Sequence, residues 1–228
     1  MGLLSKVHGG LPEDSENWAV IDVETTGLAR HSYVVEFACE ILNFDGKVIG
    51  QYETLIRPPR GHVGPEHLHG ISPAMVERAP RFAEVARDIH DLICGRIPVA
   101  HNLTYDWTIL RAEFARAGAH APLHAGGVCT ARIARRVLEG RSRLDDVCRS
   151  LGIPRAARHQ AASDVRATSQ ALMALLPRLD RAPLTTHCRP FHGASRLTRP
   201  TEPLPRPEQA IHHLSARHAA SSGSKAGE

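Results

Sequence analysis

The chain has no run of about 18 apolar residues, so its sequence offers no membrane-spanning helix. It has no CxxC pair, and its five cysteines (Cys39, Cys94, Cys129, Cys148 and Cys188) are odd in number. Neither disulfide staples nor a structural zinc site is expected, and reduced thiols in a cytoplasmic protein are the simplest account. The first 16 residues have too short an apolar stretch and too much acid to be a secretory signal. A Met-Gly start with Lys6 is only a weak match to a myristoylation site, so a short flexible leader is expected there. There is no internal repeat. Most of the chain also lacks net charge: residues 1–177 carry 20 basic and 20 acidic side chains, and the formal +4 comes entirely from 178–228, with 8 basic and 4 acidic.

A length of 228 residues and a hydrophobic content of 42% suffice for one full domain with an appendage. The domain is expected over 17–177. Beyond it, LTRPTEPLPRPEQ and SSGSKAGE are too polar and too rich in proline to bury a core, so 178–228 is expected to be a disordered tail. A short helix over 207–220 is conceivable on a partner, but such short helices rarely hold in water.

Within the domain, NWAVIDVE (17–24) reads as a strand ending at Thr-Thr-Gly. Residues 33–44 and 47–58 read as two more strands, joined by the Asp45-Gly46 turn and stopped by Pro58-Pro59. A three-stranded antiparallel meander follows. A loop over 58–70 leads to a short helix, PAMVERA, with Ser72 as its cap and Pro73 at its first position. Apolar spacing predicts helices over 81–95 and 104–118, the latter capped by Thr104, with a short buried strand (97–101) between them. A brief strand at 127–130, two short helices and a last helix over 159–176 complete an α/β pattern: a mixed sheet flanked by helices.

Acidic side chains mark the candidate site. On a strand, Asp22 and Glu24 share one face, with Cα atoms about 6.6 Å apart, while Ile21 and Val23 point to the other. A DxE pair is usually a solvated strand end. Here the apolar run before it buries the strand, and the two acids need a cation or a water-filled site. Asp106 falls in HNLTYD (101–106), near a helix start, where an isolated Asp would ordinarily serve the helix dipole. Asp164 falls five positions after His159 in HQAASD, on an otherwise apolar face, so both can face one cleft. Gathered acids of this kind commonly hold two divalent metals at phosphate-cleaving sites. Eight arginines between 130 and 158, against Glu139, Asp145 and Asp146, would suit a polyanionic substrate, although on charge alone solvated helix faces are the favoured account. His62, His67 and His69 lie close together, but no cysteine is near, and a zinc site is not expected.

Taken in order, DVETTGL (22–28), HNLTYD (101–106) and HQAASD (159–164), with HGIS (69–72) and the segment 129–153 between them, resemble the DnaQ-like, or DEDDh, family of 3′–5′ exonucleases. The resemblance spans about 17–176. It implies an RNase H-like fold. It also implies that Asp22, Glu24, Asp106 and Asp164 bind two divalent ions, Mg²⁺ or Mn²⁺, and that His159 is the general base, an imidazole being suited to proton transfer near neutral pH. Thr25, Gly27 and Leu28 match the turn that holds the terminal nucleotide, with Leu28 packing on its base. His101 and Asn102 match positions beside the 3′ end. Tyr105 stands where the family usually has Phe, and Trp107 follows Asp106. The implied substrates are single-stranded or frayed 3′ ends, DNA favoured because DVETTGL looks closer to the proofreading members. RNA trimming of the RNase T type is the alternative. A DNA polymerase subunit is a candidate partner through the tail, by position alone. A non-catalytic polymerase-binding module is disfavoured, since all five site residues are present.

Overall fold

The structure is a computed structural model and describes residues 17–122, 126–155 and 159–179. The apolar alternation of NWAVIDVET makes it the central strand, β1 (Asn17–Thr25). It runs antiparallel to β2 (Val34–Asn43), which runs antiparallel to β3 (Val48–Leu55). On its other side β1 pairs in parallel with β4 (Ile97–Ala100), and β4 pairs in parallel with β5 (Val128–Cys129). The sheet order is therefore β3-β2-β1-β4-β5. The expected antiparallel meander and the mixed α/β sheet are both present.

Both faces of the sheet are covered, which is why β1 carries apolar residues on both sides. Ala19, Ile21 and Val23 pack on one face against α3 (Phe82–Ile93) and α4 (Leu103–Arg116). Phe82 and Phe114 meet there edge to face, 5.2 Å between centroids. Trp18 and Val20 point to the opposite face, under α5 (Thr130–Val137), α6 (Leu144–Leu151) and α7 (Ala161–Leu175). Asp22 and Glu24 continue the Trp18–Val20 row. The acids therefore emerge where the α7 layer meets the end of the central strand.

Several expected boundaries move. The third strand stops at Leu55 rather than running to 58, because the N–H of Arg57 turns away to the Pro80 carbonyl (2.8 Å). The PAMVERA helix is confined to Pro73–Val76; Ser72 precedes it, but its side chain makes no capping bond. A one-turn helix, Glu66–His69, lies in the segment expected to be loop. Thr104 is not the cap of α4: the β4–α4 connection is so tight that Asn102 takes that place, at φ 96°. The last helix starts at Ala161, two residues after His159. The 1–16 leader and the tail from 180 onward, including Cys188 and the helix considered at 207–220, lie outside the described residues. The four described cysteines are free. Among the described residues no helix is long and apolar enough to cross a membrane.

The loop between β3 and α3 is folded against the end of β1. His69 is buried, its Nε2 donating to the Val63 carbonyl (3.1 Å) while its Nδ1 accepts the Ile71 N–H (3.0 Å). This strut presses Gly64 onto Thr26, so closely that a Cβ at Gly64 would sit 2.4 Å from the Thr26 carbonyl oxygen. Gly64 also has φ 85°, a conformation that a side chain strains. Gly64→Ala is expected to lower the unfolding free energy by about 2 kcal/mol, from overpacking and backbone strain together. Urea denaturation at fixed pH checks this; an unchanged midpoint would mean that the loop does not bear on Thr26.

Candidate active site

Three segments distant in the chain meet at the carboxyl end of β1. Asp22 and Glu24 arrive on the strand, Asp106 in the first turn of α4, Asp164 in the first turn of α7, and His159 just ahead of α7. One ligand atom each from Glu24, His159 and Asp164 lie within 4.8 Å of one another. Asp22 lies among them and feels the charges of Asp106, Asp164, Glu24 and Glu36.

The electrostatic cost of this gathering is visible in the acids themselves. Burial, and then the neighbouring carboxylates, raise the Asp22 carboxyl well above the ordinary range. Burial pushes Asp106 up to about 7, although backbone hydrogen bonds at its own position and at Val23 oppose the shift. Asp164 is raised by burial despite an ion pair with Arg155, whose Nη1 lies 2.9 Å from Oδ1. Arg155 also reaches Asp145 at 3.3 Å, so one guanidinium links α6 to the start of α7.

Glu36, which the sequence reading did not single out, holds the site from behind. It sits directly across from Glu24 in the β1–β2 register, where like charges ordinarily repel. It is fully buried, and its Oε2 accepts the N–H of Ala161 (3.0 Å), the first residue of α7. A strand carboxylate thus meets the positive end of the helix that carries Asp164. The only trace of this role in the sequence is an acid inside an apolar strand, VVEFACEI.

The remaining expected residues divide by position. Thr25 is buried at a register break in β1, between Glu24 and Thr25. Gly27 and Leu28 form the following turn, and Leu28 is 87% exposed. Asn102 is exposed at the head of α4. His101 is turned inward: its Nε2 bonds the Ser142 carbonyl (2.8 Å) and its Nδ1 pairs with the Thr130 hydroxyl (2.9 Å). A carbonyl can only accept, so Nε2 carries the proton, and burial lowers the pKa and keeps the ring neutral. Both ring nitrogens are engaged within the protein, which makes His101 a strut between β4 and α5 rather than a group presented to a ligand.

A donor set of carboxylates and one imidazole, without sulfur, fits hard divalent cations of the Mg²⁺ or Mn²⁺ type. The raised carboxyls fit the same reading, since a bound cation would relieve their repulsion. Their effect on stability has a definite sign. The folded, metal-free chain retains protons on Asp22, Asp106 and Asp164 that the unfolded chain releases, so its stability falls as pH rises through their folded values. His69 and His101, held neutral by burial, oppose this only below about pH 6.5. In EDTA, unfolding free energy should therefore fall between about pH 6.5 and 8, and Asp106→Asn should flatten that fall. Saturating Mn²⁺ should raise stability by about 2–3 kcal/mol at a hundredfold excess over its Kd. Urea melts across this window check both; a flat profile and no response to metal would separate the acids from any cation.

Comparison with known proteins agrees with this geometry. A family model described as an exonuclease, RNase_T, matches residues 19–172. A DNA polymerase III subunit epsilon-like protein of Rhodobacter capsulatus is 35% identical over 77% of this chain and 26% of its own length. The DNA polymerase III subunit epsilon of Treponema pallidum is 32% identical over 65% of this chain and 71% of its own. The chain spans only about a quarter of the Rhodobacter relative, and 12% of a PolC-type DNA polymerase III of Oceanobacillus iheyensis. Among solved structures, exonuclease X in complex with 5′ overhanging duplex DNA superposes with a TM-score of 0.58 at 25% identity, over 70% of this chain and 91% of that one. Exonuclease I, at 18% identity and a TM-score of 0.62 over 72% of this chain and 41% of that one, shares the RNase H-like fold. The chain belongs to the RNase_T exonuclease family.

Proposed function

We propose that residues 17–177 form a metal-dependent 3′–5′ exonuclease that releases nucleoside 5′-monophosphates, with DNA as the favoured substrate. The observation that carries this reading is the convergence of Glu24, His159 and Asp164 ligand atoms within 4.8 Å, with Asp22 and Asp106 alongside. Asp22, Glu24, Asp106 and Asp164 would hold two Mg²⁺ or Mn²⁺ ions. Such ions, when bound, supply charge neutralisation at the phosphate, a more acidic water and stabilisation of the leaving oxygen.

The chain's own groups have separable tasks. His159 stands exposed at φ 53°, ahead of α7, and takes the proton of the attacking water. Leu28, almost wholly exposed on its turn, packs on the terminal base, with Thr25 and Gly27 setting the turn's shape. Asn102 flanks the 3′ end, and His101 keeps the adjoining strand end in place. Exposed Arg132, Arg135, Arg141 and Arg143 lie on α5 and the following loop, close to His101 through Ser142, and would track the phosphate backbone.

DVETTGL and the polymerase III names of the relatives favour DNA in a proofreading or repair setting. A polymerase contact through residues 178–228 is part of the same proposal. The free described cysteines accord with a cytoplasmic setting.

Metal-dependent release from 3′-labelled oligonucleotides tests the reaction. His159→Ala and Asp22→Ala should each lower kcat by about 100-fold or more. Undiminished activity in both would remove the assignment. Competing DNA and RNA 3′ ends should show DNA consumed first, and RNA consumed first would shift the reading to an exoribonuclease. Capture of a polymerase subunit should weaken when 178–228 is deleted, and equal recovery would clear the tail of that role.

A further inference from the structure

The turn at residues 25–28 is fastened by a side chain that the proposed chemistry leaves unused. Tyr105 lies in the first turn of α4, and its hydroxyl is 2.6 Å from the Thr25 hydroxyl and 3.0 Å from the Gly27 carbonyl oxygen. The Thr25 hydroxyl also reaches the Gly27 carbonyl, at 2.7 Å. Two hydroxyl protons cannot fill three contacts. Either Tyr105 donates to Thr25 and Thr25 to Gly27, or the order is reversed, and both relays end on the same carbonyl.

The placement is informative. Thr25 directly follows Glu24, and Tyr105 directly precedes Asp106. The hydroxyl pair therefore joins the strand end bearing one carboxylate to the helix turn bearing another. The next residue after Gly27 is Leu28, which is 87% exposed. The far side of the same loop is fastened separately. Arg116 donates to the Ser32 carbonyl (2.8 Å) and lies 4.3 Å above the Tyr33 ring, while Glu113 accepts the Val34 N–H (2.9 Å). Gly64 presses Thr26 from a third direction. Tyr105 closes the one side that faces the acids.

We infer that Tyr105 is a positioning residue: its hydroxyl, joined to the Gly27 carbonyl together with that of Thr25, clamps the turn that receives the terminal nucleotide. A phenylalanine there would fill the same volume but leave Gly27 held by Thr25 alone. This inference rests on the exonuclease reading for its substrate, but not for the clamp itself.

Two measurements on the full chain test it. On a 3′-labelled single-stranded oligonucleotide with saturating Mn²⁺, Tyr105→Phe should raise KM about 3- to 10-fold, with kcat changed less than about threefold. Thr25→Val should do the same, Thr25→Ser should restore most of the affinity, and the double variant Tyr105→Phe/Thr25→Val should fall short of the product of the single effects. In the metal-free protein, amide hydrogen exchange over residues 26–28 should quicken in Tyr105→Phe, while exchange in α4 stays at the wild-type rate. Unchanged KM together with unchanged exchange overturns the clamp, as does a loss confined to kcat. If the wild type releases no nucleotide, the exonuclease reading falls and exchange alone decides: faster exchange at 26–28 upholds the clamp, equal exchange overturns it.

Discussion

Like charges placed together repel, and this fold places five acids together, two of them, Glu36 and Asp106, buried. Asp22, Glu24, Glu36, Asp106 and Asp164 share one end of the central strand, and burial holds Asp22, Asp106 and Asp164 above the ordinary carboxylate range. A protein tolerates such an arrangement when the surrounding structure over-determines it. Much of the architecture around β1 serves that end: a sheet covered on both faces, a helix start aimed at the acids from each side, and cationic or dipolar groups set where the repulsion is greatest.

The counterweights differ in kind. Arg155 neutralises part of Asp164 through a direct ion pair and ties it to Asp145. Glu36 is met by the N-terminal N–H of α7, a dipolar rather than ionic partner. Asp106 is met by backbone N–H groups, one of them at Val23 on the central strand. None of these supplies a full opposite charge for Asp22, which is the most surrounded of the set. That residual imbalance is the physical reason a divalent cation suits the site.

Around the acids lies a layer of uncharged struts. His101 links the end of β4 to α5 and to the Ser142 carbonyl, His69 presses the 63–71 loop onto the β1 turn, and Tyr105 ties that turn to α4. Each has its polar atoms satisfied within the protein. Among the residues expected to meet a nucleotide, this leaves Leu28 and Asn102 facing outward, and His159 alone on the imidazole side.

Much of this was readable in the chain before folding. Alternation in NWAVIDVET requires a strand with Asp22 and Glu24 on one face, the Asp45-Gly46 signal requires a hairpin, and helical spacing requires α3, α4 and α7. The motif order pointed to the five residues that converge at the end of β1, because acids in such a pattern are constrained in type and in their place on an element. What could not be read were groups whose role depends on a neighbour distant in sequence. Glu36 looked like one more residue in an apolar strand until α7 arrived 125 positions later to be capped by it. Whether His101 bonds the backbone or faces a ligand was open until Thr130 and Ser142 took both its nitrogens. Tyr105 looked like a mild departure from Phe until its hydroxyl found Thr25, 80 positions away. The sequence by itself determined which residues are the candidates for the chemistry, since residue type and local period decide what a side chain can do and which way it points. Only the tertiary structure decided which polar groups support them, since a hydrogen-bond partner is chosen by distance in space.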